Sequence, residues 1–343
     1  MGHPSPHVAL AIILGVALTA CGGGSTPPAG DETAVSTEVI RVDGSSTVFP
    51  IAEAVAEEYQ KASGARVTVA ISGTGGGFQK FCRAETDISN ASRPISAKEI
   101  EACKTAGIEF TELPIAYDGL AIVVNPKNTW AASITVDELK TLWAPEAQGK
   151  ITRWNQVRAS WPNREIHLFG AGVDSGTFDY FTEAIVGKAK ASRGDFTSSE
   201  DDNVLVQGIS GDELALGFIP LAYVEQNSGA LKLVPVDDGK GDNGAGPIAP
   251  SAETVRNGTY QPLSRPLFIY VGHKAATRPE VAKFVESFFT SPELMREVGY
   301  VELTPALYEL ATKHFVERRP GSALASGGST VGVTLEQLLN REK

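Results

Sequence analysis

Three short segments carry residue types suited to gripping an anion. They are Gly44-Ser45-Ser46-Thr47, Ser72-Gly73-Thr74-Gly75-Gly76-Gly77 and Asp174-Ser175-Gly176-Thr177. Each mixes hydroxyls with glycines, and each falls where a strand pattern gives way to a helix pattern. A helix N-terminus presents unpaired N–H groups and a partial positive charge. Glycine lets an anion come close to the backbone, and Ser or Thr adds a hydroxyl donor. One such loop alone reads as an ordinary capped helix start. Three of them at equivalent strand-to-helix junctions predict convergence on a single tetrahedral oxyanion. The glycine run is not a P-loop, because it lacks the G-x-x-x-x-G-K-[ST] spacing.

Arg93, in the segment DISNASRPI, is the cationic candidate. It ends a short strand just before Pro94, where a planar guanidinium can pair bidentately with an oxyanion. The competing reading is a surface or lobe-bridging salt bridge. Phosphate carries a proton near neutral pH and sulfate does not. A carboxylate in the site would accept that proton's hydrogen bond and repel sulfate. Asp174, beside the third loop, is the preferred acceptor, followed by Asp118, Asp43 and Asp87. Asp174 could equally serve as an N-cap of the helix that follows.

The elements that must position these residues follow from hydrophobic periodicity. EVIRV is a strand; Val48, Ile51, Ala52, Val55, Ala56 and Tyr59 then share one helix face. Ser46 or Thr47 can cap that helix, with Pro50 in its first turn. RVTVAI is the next strand, Gly77–Ala84 opens a second helix, and SAKE is a capping box for a third. GIEFTELPI is a further strand. This β-α-β-α rhythm predicts a parallel sheet covered by helices on both faces. YDGLAIVVNP reads as a strand crossing into a second unit. That unit holds the capped helix TVDELKTLW, then REIHLFG, the helix after Ser175, ALGFIPLAYV and LKLVPV. RPLFIYVGH crosses back, and helices at Pro279–Thr290 and Pro292–Val298 follow. One domain interrupted by another predicts two lobes on a hinge, with the ligand in the cleft between them.

The chain has 343 residues, enough for two domains with cores of their own. Its net charge of −11 argues against non-specific nucleic-acid binding and against an anionic membrane surface as partner. A small anion is still allowed, since a buried site acts through local donors. Residues 8–20, VALAIILGVALTA, are apolar, too short to span a bilayer comfortably, and suited to the core of a signal peptide. They end in Leu18-Thr19-Ala20-Cys21, which resembles a bacterial lipoprotein signal with Cys21 as the acylated residue. The n-region MGHPSPH departs from that pattern by lacking Lys and Arg. Residues 21–37 then read as a flexible Gly/Ser/Thr/Pro tether. If Cys21 carries lipid, Cys82 and Cys103 remain, and an oxidising compartment favours a disulfide between them over two buried thiols. None of the histidines sits at metal-ligand spacing with a cysteine, so no metal and no cofactor is expected.

Taken together, the segments DGSSTVFPIAEAVAEEY, ISGTGGGFQKFCRAETDISNASRPI, IAYDGLAIVVNP, GAGVDSGTFDYFTEAI and DDNVLVQGI resemble the phosphate-binding lipoprotein component of bacterial high-affinity phosphate ABC transporters. The resemblance runs from about Val39 to Tyr300. It implies an α/β, two-lobed type II periplasmic-binding-protein fold with two hinge crossings and an interlobe cleft. The first lobe would comprise residues 38–118 and 266–343, and the second residues 119–265. The family's ligand loops fall on Ser46 and Thr47, with the Phe49 N–H nearby, then on Thr74 and Gly75, then on Ser175, Gly176 and Thr177. The best-known branch places an arginine four residues before the serine of the third loop, where this chain has Ala171. It also has an aspartate where this chain has Arg93. The implied exchange puts the arginine on the first lobe and the acceptor, Asp174, on the second.

The resemblance implies inorganic phosphate as ligand, permease subunits as partners, a lipid anchor facing the periplasm or extracytoplasmic space, and a monomer. Other readings are a binder of sulfate, tungstate or molybdate, an extracytoplasmic sensor or adhesin, and an exported phosphatase. The last lacks a metal-ligand cluster, a His-paired nucleophile and paired carboxylates on a helix.

Overall fold

The computed structural model describes residues 38–173, 175–199, 201–227, 229–322 and 335. The signal segment, Cys21, the tether and Asp174 lie outside the described residues. The first lobe opens with β1 (Val39–Gly44), α1 (Phe49–Ser63), β2 (Arg66–Ile71), α2 (Gly73–Phe81), β3 (Ile88–Ala91) and α3 (Ala97–Thr105). A long strand, β4 (Phe110–Val124), leads to the second lobe. There follow β5 (Ile134–Thr135), α4 (Val136–Trp143), β6 (His167–Ala171), α5 (Gly176–Val186), β7 (Thr197–Ser199) and α6 (Asp202–Gly211). Next come β8 (Ala215–Pro220), α7 (Leu221–Gln226), β9 (Lys232–Leu233), β10 (Val236–Asp237) and α8 (Ala252–Arg256). The chain returns through β11 (Ser264–Gly272) to α9 (Pro279–Thr290), α10 (Pro292–Glu297), β12 (Val301–Glu302) and α11 (Pro305–Val316).

The two lobes repeat one sheet plan. In the first, the order is β2-β1-β3-β11-β4; in the second it is β7-β6-β8-β4-β9. The first three strands of each set are parallel, and the fourth, β11 or β4, enters antiparallel. β4 changes partner midway: it pairs with β11 as far as Gly119 and with β8 from Leu120 onward. GIEFTELPI and YDGLAIVVNP, read as two strands, therefore join into one of 15 residues, buried throughout. Asp118-Gly119 has the composition of a turn, but here it stays extended. Gly119 packs against Val255, where a Cβ would come within 2.9 Å of a methyl group.

Two helix starts differ from the sequence expectation. α1 has Val48 as its N-cap and no side-chain cap, so neither Ser46 nor Thr47 serves there. Phe49 N–H already donates to Ser45 O at 3.1 Å, and that turn leaves the Thr47 hydroxyl available for contacts outside the helix. α2 begins at Gly73, four residues earlier than Gly77. The glycines permit this, because α2 lies directly on β1: a Cβ on Gly77 would stand 2.5 Å from Gly44 Cα. The capping boxes Ser96/Glu99 and Thr135/Glu138 form as read.

Each lobe has its own aromatic core. Phe78, Phe81, Phe110 and Tyr270 meet edge-to-face in the first, while Trp143, Phe181 and Phe218 cluster in the second. Such aromatic pairs add to the stabilisation from burial itself. Cys82 and Cys103 form the expected disulfide, tying the end of α2 to α3 with a Cα–Cα distance of 4.3 Å. Among the described residues no helix is long and apolar enough to cross a membrane.

Candidate functional site

The loops that follow β1 and β6, one from each lobe, meet at Thr47 and Gly176. On the first lobe, β1 ends at Gly44 with φ +144°, pressed against the Asn90 backbone. A Cβ there would stand 2.2 Å from Asn90 O, so the chain turns where only glycine fits. The turn brings Ser46, half-buried, and Thr47, buried, to the cleft. Thr47 Oγ1 donates to Gly176 O of the second lobe at 3.4 Å and accepts from Arg265 Nη2 at 3.1 Å. Thr47 O accepts from the Tyr300 hydroxyl at 2.6 Å. The Phe49 N–H, expected near the ligand, is the one bonded to Ser45 O.

On the second lobe, β6 ends at Ala171 and Ser175 caps α5, its Oγ accepting from Thr177 N–H at 3.1 Å. Gly176 is the point of lobe contact. A Cβ on it would lie 2.5 Å from Thr47 N and 2.7 Å from Thr47 Cα. The N-terminal ends of α1 and α5, 15 and 11 residues long, therefore meet across the cleft. Both carry positive partial charge, and hydroxyls stand between them.

The second loop of the first lobe is more self-contained. Thr74 Oγ1 lies 3.1 Å from Ser92 Oγ and accepts from Ser92 N–H. Gly75 is beside Arg93, whose Nη2 would be 3.8 Å from a Cβ there. Arg93 is engaged: Nη1 and Nη2 bond both oxygens of Glu99 at 2.9 and 2.8 Å, and Nη1 also reaches Pro94 O. Burial pushes the Glu99 carboxyl up, but Arg93 and the Ser96 donors outweigh it and hold it below the ordinary carboxylate range.

The candidate carboxylates separate by position. Asp43 is bound by Ser72 Oγ at 2.7 Å and by Lys80, under the start of α2. Asp87 accepts from Arg41 N–H at 2.8 Å and from Arg278 at 3.1 Å, in the frame of the first lobe. Asp118 stands at the cleft. It is the cross-strand neighbour of Arg265 on the hinge strands, and both Nε and Nη2 of that arginine lie 3.4 Å from its Oδ2. Burial pushes the Asp118 carboxyl up, and Arg265 offsets this only in part.

Sequence reasoning did not single out Arg265, Tyr180 or Tyr300. The Arg265 guanidinium covers the Tyr180 ring at 3.6 Å and approaches Glu183 Oε2 at 4.0 Å. A signal for it existed: Ser264-Arg265-Pro266 repeats the triplet Ser92-Arg93-Pro94. The tyrosines gave none, since nothing in their local pattern separates a cleft tyrosine from a core one. Among the described residues no group of three or more His, Cys, Asp or Glu side chains could hold a metal ion.

Residues 28–293 match the family model of a PBP superfamily domain. The chain is 47% identical over 313 residues to the protein SphX of Synechococcus elongatus, covering 91% of each chain. It is 37% identical over 260 residues to the phosphate-binding protein PstS of Staphylococcus saprophyticus, covering 75% of this chain and 76% of that one. It also resembles the crystal structure of a possible phosphate binding protein from Planctomyces limnophilus. There the identity is 45% and the TM-score 0.78, over 83% of this chain and 100% of that one. With the cleft between two matching sheets, these similarities show that the chain belongs to the PBP superfamily, in the group of the SphX and PstS proteins.

Proposed function

We propose that the chain is an extracytoplasmic binding protein that captures inorganic phosphate between its lobes and delivers it to an ABC importer. One observation carries the reading: two helix N-termini from opposite lobes meet at Thr47 and Gly176 beside an arginine–aspartate pair. That arrangement concentrates N–H and hydroxyl donors on a small volume while the chain as a whole is acidic. The names of the relatives, SphX and phosphate-binding protein PstS, support phosphate as the anion. The ligand loops in this reading are Ser46 and Thr47, Thr74 and Gly75, and Asp174, Ser175, Gly176 and Thr177; of the other residues the sequence nominated, the Phe49 N–H is spent on Ser45 O and the Arg93 fork on Glu99. In this reading the proton of phosphate is accepted by a carboxylate, with Asp174 the acceptor expected from the sequence and Asp118, buried beside Arg265, the alternative.

The lobe limits, 38–118 with 266–343 and 119–265, belong to the same proposal and are supported by the change of partner along β4. So do the lipid anchor at Cys21, the tether over 21–37, the permease partner and a monomeric state. The reading includes no catalytic step. His167 pairs with Asp212 and His273 with Thr111, while the Ser175 hydroxyl is used as a helix cap.

Titration calorimetry of the unacylated chain with phosphate and with sulfate tests the reading. The expected result is a phosphate Kd of about 1 μM or tighter, with sulfate at least about a hundredfold weaker. Equal affinity for both anions would favour a general oxyanion binder. Absence of heat with either would remove the anion site altogether.

A further inference from the structure

Arg265 stands where both hinge strands and both lobes come together. It lies on β11, opposite Asp118 on β4. From there it reaches Thr47 on the first lobe, and Tyr180 and Glu183 on the second. Its side chain is only 14% exposed, against 41% for Arg93. The two arginines also differ in how far their charge is spent. Arg93 forms a closed fork with Glu99, one oxygen per nitrogen, at 2.9 and 2.8 Å. Arg265 meets a single oxygen of Asp118 at 3.4 Å, and its Nη1 comes no nearer than 4.0 Å to Glu183. A guanidinium has five N–H donors in a fixed fork. Arg93 closes its fork on both oxygens of one carboxylate; Arg265 holds a single carboxylate oxygen at longer range and keeps Nη1 beyond hydrogen-bond distance of Glu183.

We propose that Arg265, rather than Arg93, is the cationic ligand of the anion site and the residue that couples anion binding to lobe closure. This rests on the functional reading above, in which Thr47 is a ligand. An oxyanion bonded to the Thr47 hydroxyl is one hydrogen bond away from Arg265 Nη2. Asp118 holds the guanidinium from the neighbouring strand and fixes its plane. Tyr180 covers its face from the second lobe, and an arginine over an aromatic ring is stabilised there most when water is excluded. The cation is therefore fully enclosed only when α5 lies against Thr47. An anion that draws on Arg265 favours that closed arrangement, because the donors of both lobes then act on it together. The role left to Arg93 is to fix α3 and the Thr74 loop through Glu99.

Phosphate titrations of the unacylated full chain at about pH 6 and about pH 8, for wild type, Arg265→Gln, Arg265→Lys and Arg93→Gln, test this. Removing a cation that touches the anion costs the dianion more than the monoanion. Arg265→Gln is thus expected to weaken binding at least about fiftyfold at the higher pH and distinctly less at the lower one. Arg265→Lys should recover part of the loss, since it restores charge but not the fork. Arg93→Gln should lose several-fold less than Arg265→Gln. Arg265→Gln binding within about threefold of wild type would overturn the proposal, as would an equal loss at both pH values in Arg265→Gln and Arg265→Lys, which marks a merely structural role. A wild type that shows no phosphate heat would instead overturn the functional reading, and this proposal with it.

Discussion

Gly176 has no room for a side chain in the closed cleft. Its virtual Cβ meets the backbone of Thr47, which cannot swing aside as a flexible side chain would. Gly176→Ala should therefore hold the lobes apart and leave each lobe folded. The expected outcome is phosphate affinity reduced at least about tenfold, or about 1.4 kcal/mol, with the thermal midpoint almost unchanged. Small-angle scattering should show the variant failing to compact when phosphate is added. A variant that binds and compacts like wild type would show that Thr47 and Gly176 need not touch in the bound state. At this scale the sequence was readable in part. Hydroxyl-glycine loops announce themselves locally, and two of the three, at Thr47 and Gly176, meet between the lobes. Arg265 was not, because its partners Thr47, Asp118 and Tyr180 are far from it in the chain and adjacent to it only after folding.

The helix α2 shows how one residue type can serve two purposes. The run Gly75-Gly76-Gly77 invited an anion-binding reading, yet Gly77 is buried at the crossing of α2 over β1. Its hypothetical Cβ would meet Gly44 Cα at 2.5 Å, Ser89 Oγ at 2.9 Å and Asp43 O at 3.1 Å. Gly77→Ala should push α2 off the sheet and destabilise the chain by about 2 kcal/mol, the usual scale of core overpacking. Urea unfolding measures this; a loss below about 0.5 kcal/mol would mean that α2 moves freely over β1. The disulfide works on the same element. It joins the end of α2 to α3 and closes the segment that carries Arg93 and Glu99. Capping boxes and hydrophobic faces were legible for these elements because they depend on neighbours three or four residues away. The start of α2 was not, because glycine lowers helix propensity and only the close approach to β1 repays it.

For the whole molecule, the marginal balance of folding gives a buried histidine a visible effect. His314 on α11 is buried, and its Nε2 has no hydrogen-bond partner among the described residues. Burial lowers its pKa from the ordinary imidazole value; nearby Arg319 and Lys313 add to this and Glu317 opposes it. The folded state therefore prefers the neutral ring, whereas the unfolded chain takes up a proton near pH 6.5. The stability that His314 contributes is complete above that pH and declines as the pH falls towards the folded-state value. The drop in Tm between about pH 7.5 and about pH 5.5 should accordingly be smaller for His314→Gln than for wild type. Parallel Tm curves for the two proteins would show that His314 does not titrate in this window. The repeated sheet plan acts at the same scale. Because β4 belongs to both sheets and β11 returns beside it, a displacement of one lobe is carried to the other through these two strands.

The sequence by itself determined the rhythm of strands and helices, the capping boxes, the cysteine pair and the hydroxyl-glycine loops at Thr47 and Gly176, which the fold brings together between the lobes. All of these depend on spacing within a few residues, or on a small inventory with few ways to combine. Tertiary structure alone decided that two strand patterns fuse into β4, that Thr47 touches Gly176, and which charges are spent within the protein. Glu99 closes on Arg93, Asp43 and Asp87 are bound into the first lobe, and Asp118 with Arg265 stands at the hinge. The physical reason is that charge is neutralised through space. A sequence shows which residues carry charge, but pairing depends on distances of a few ångströms between segments that the fold brings together.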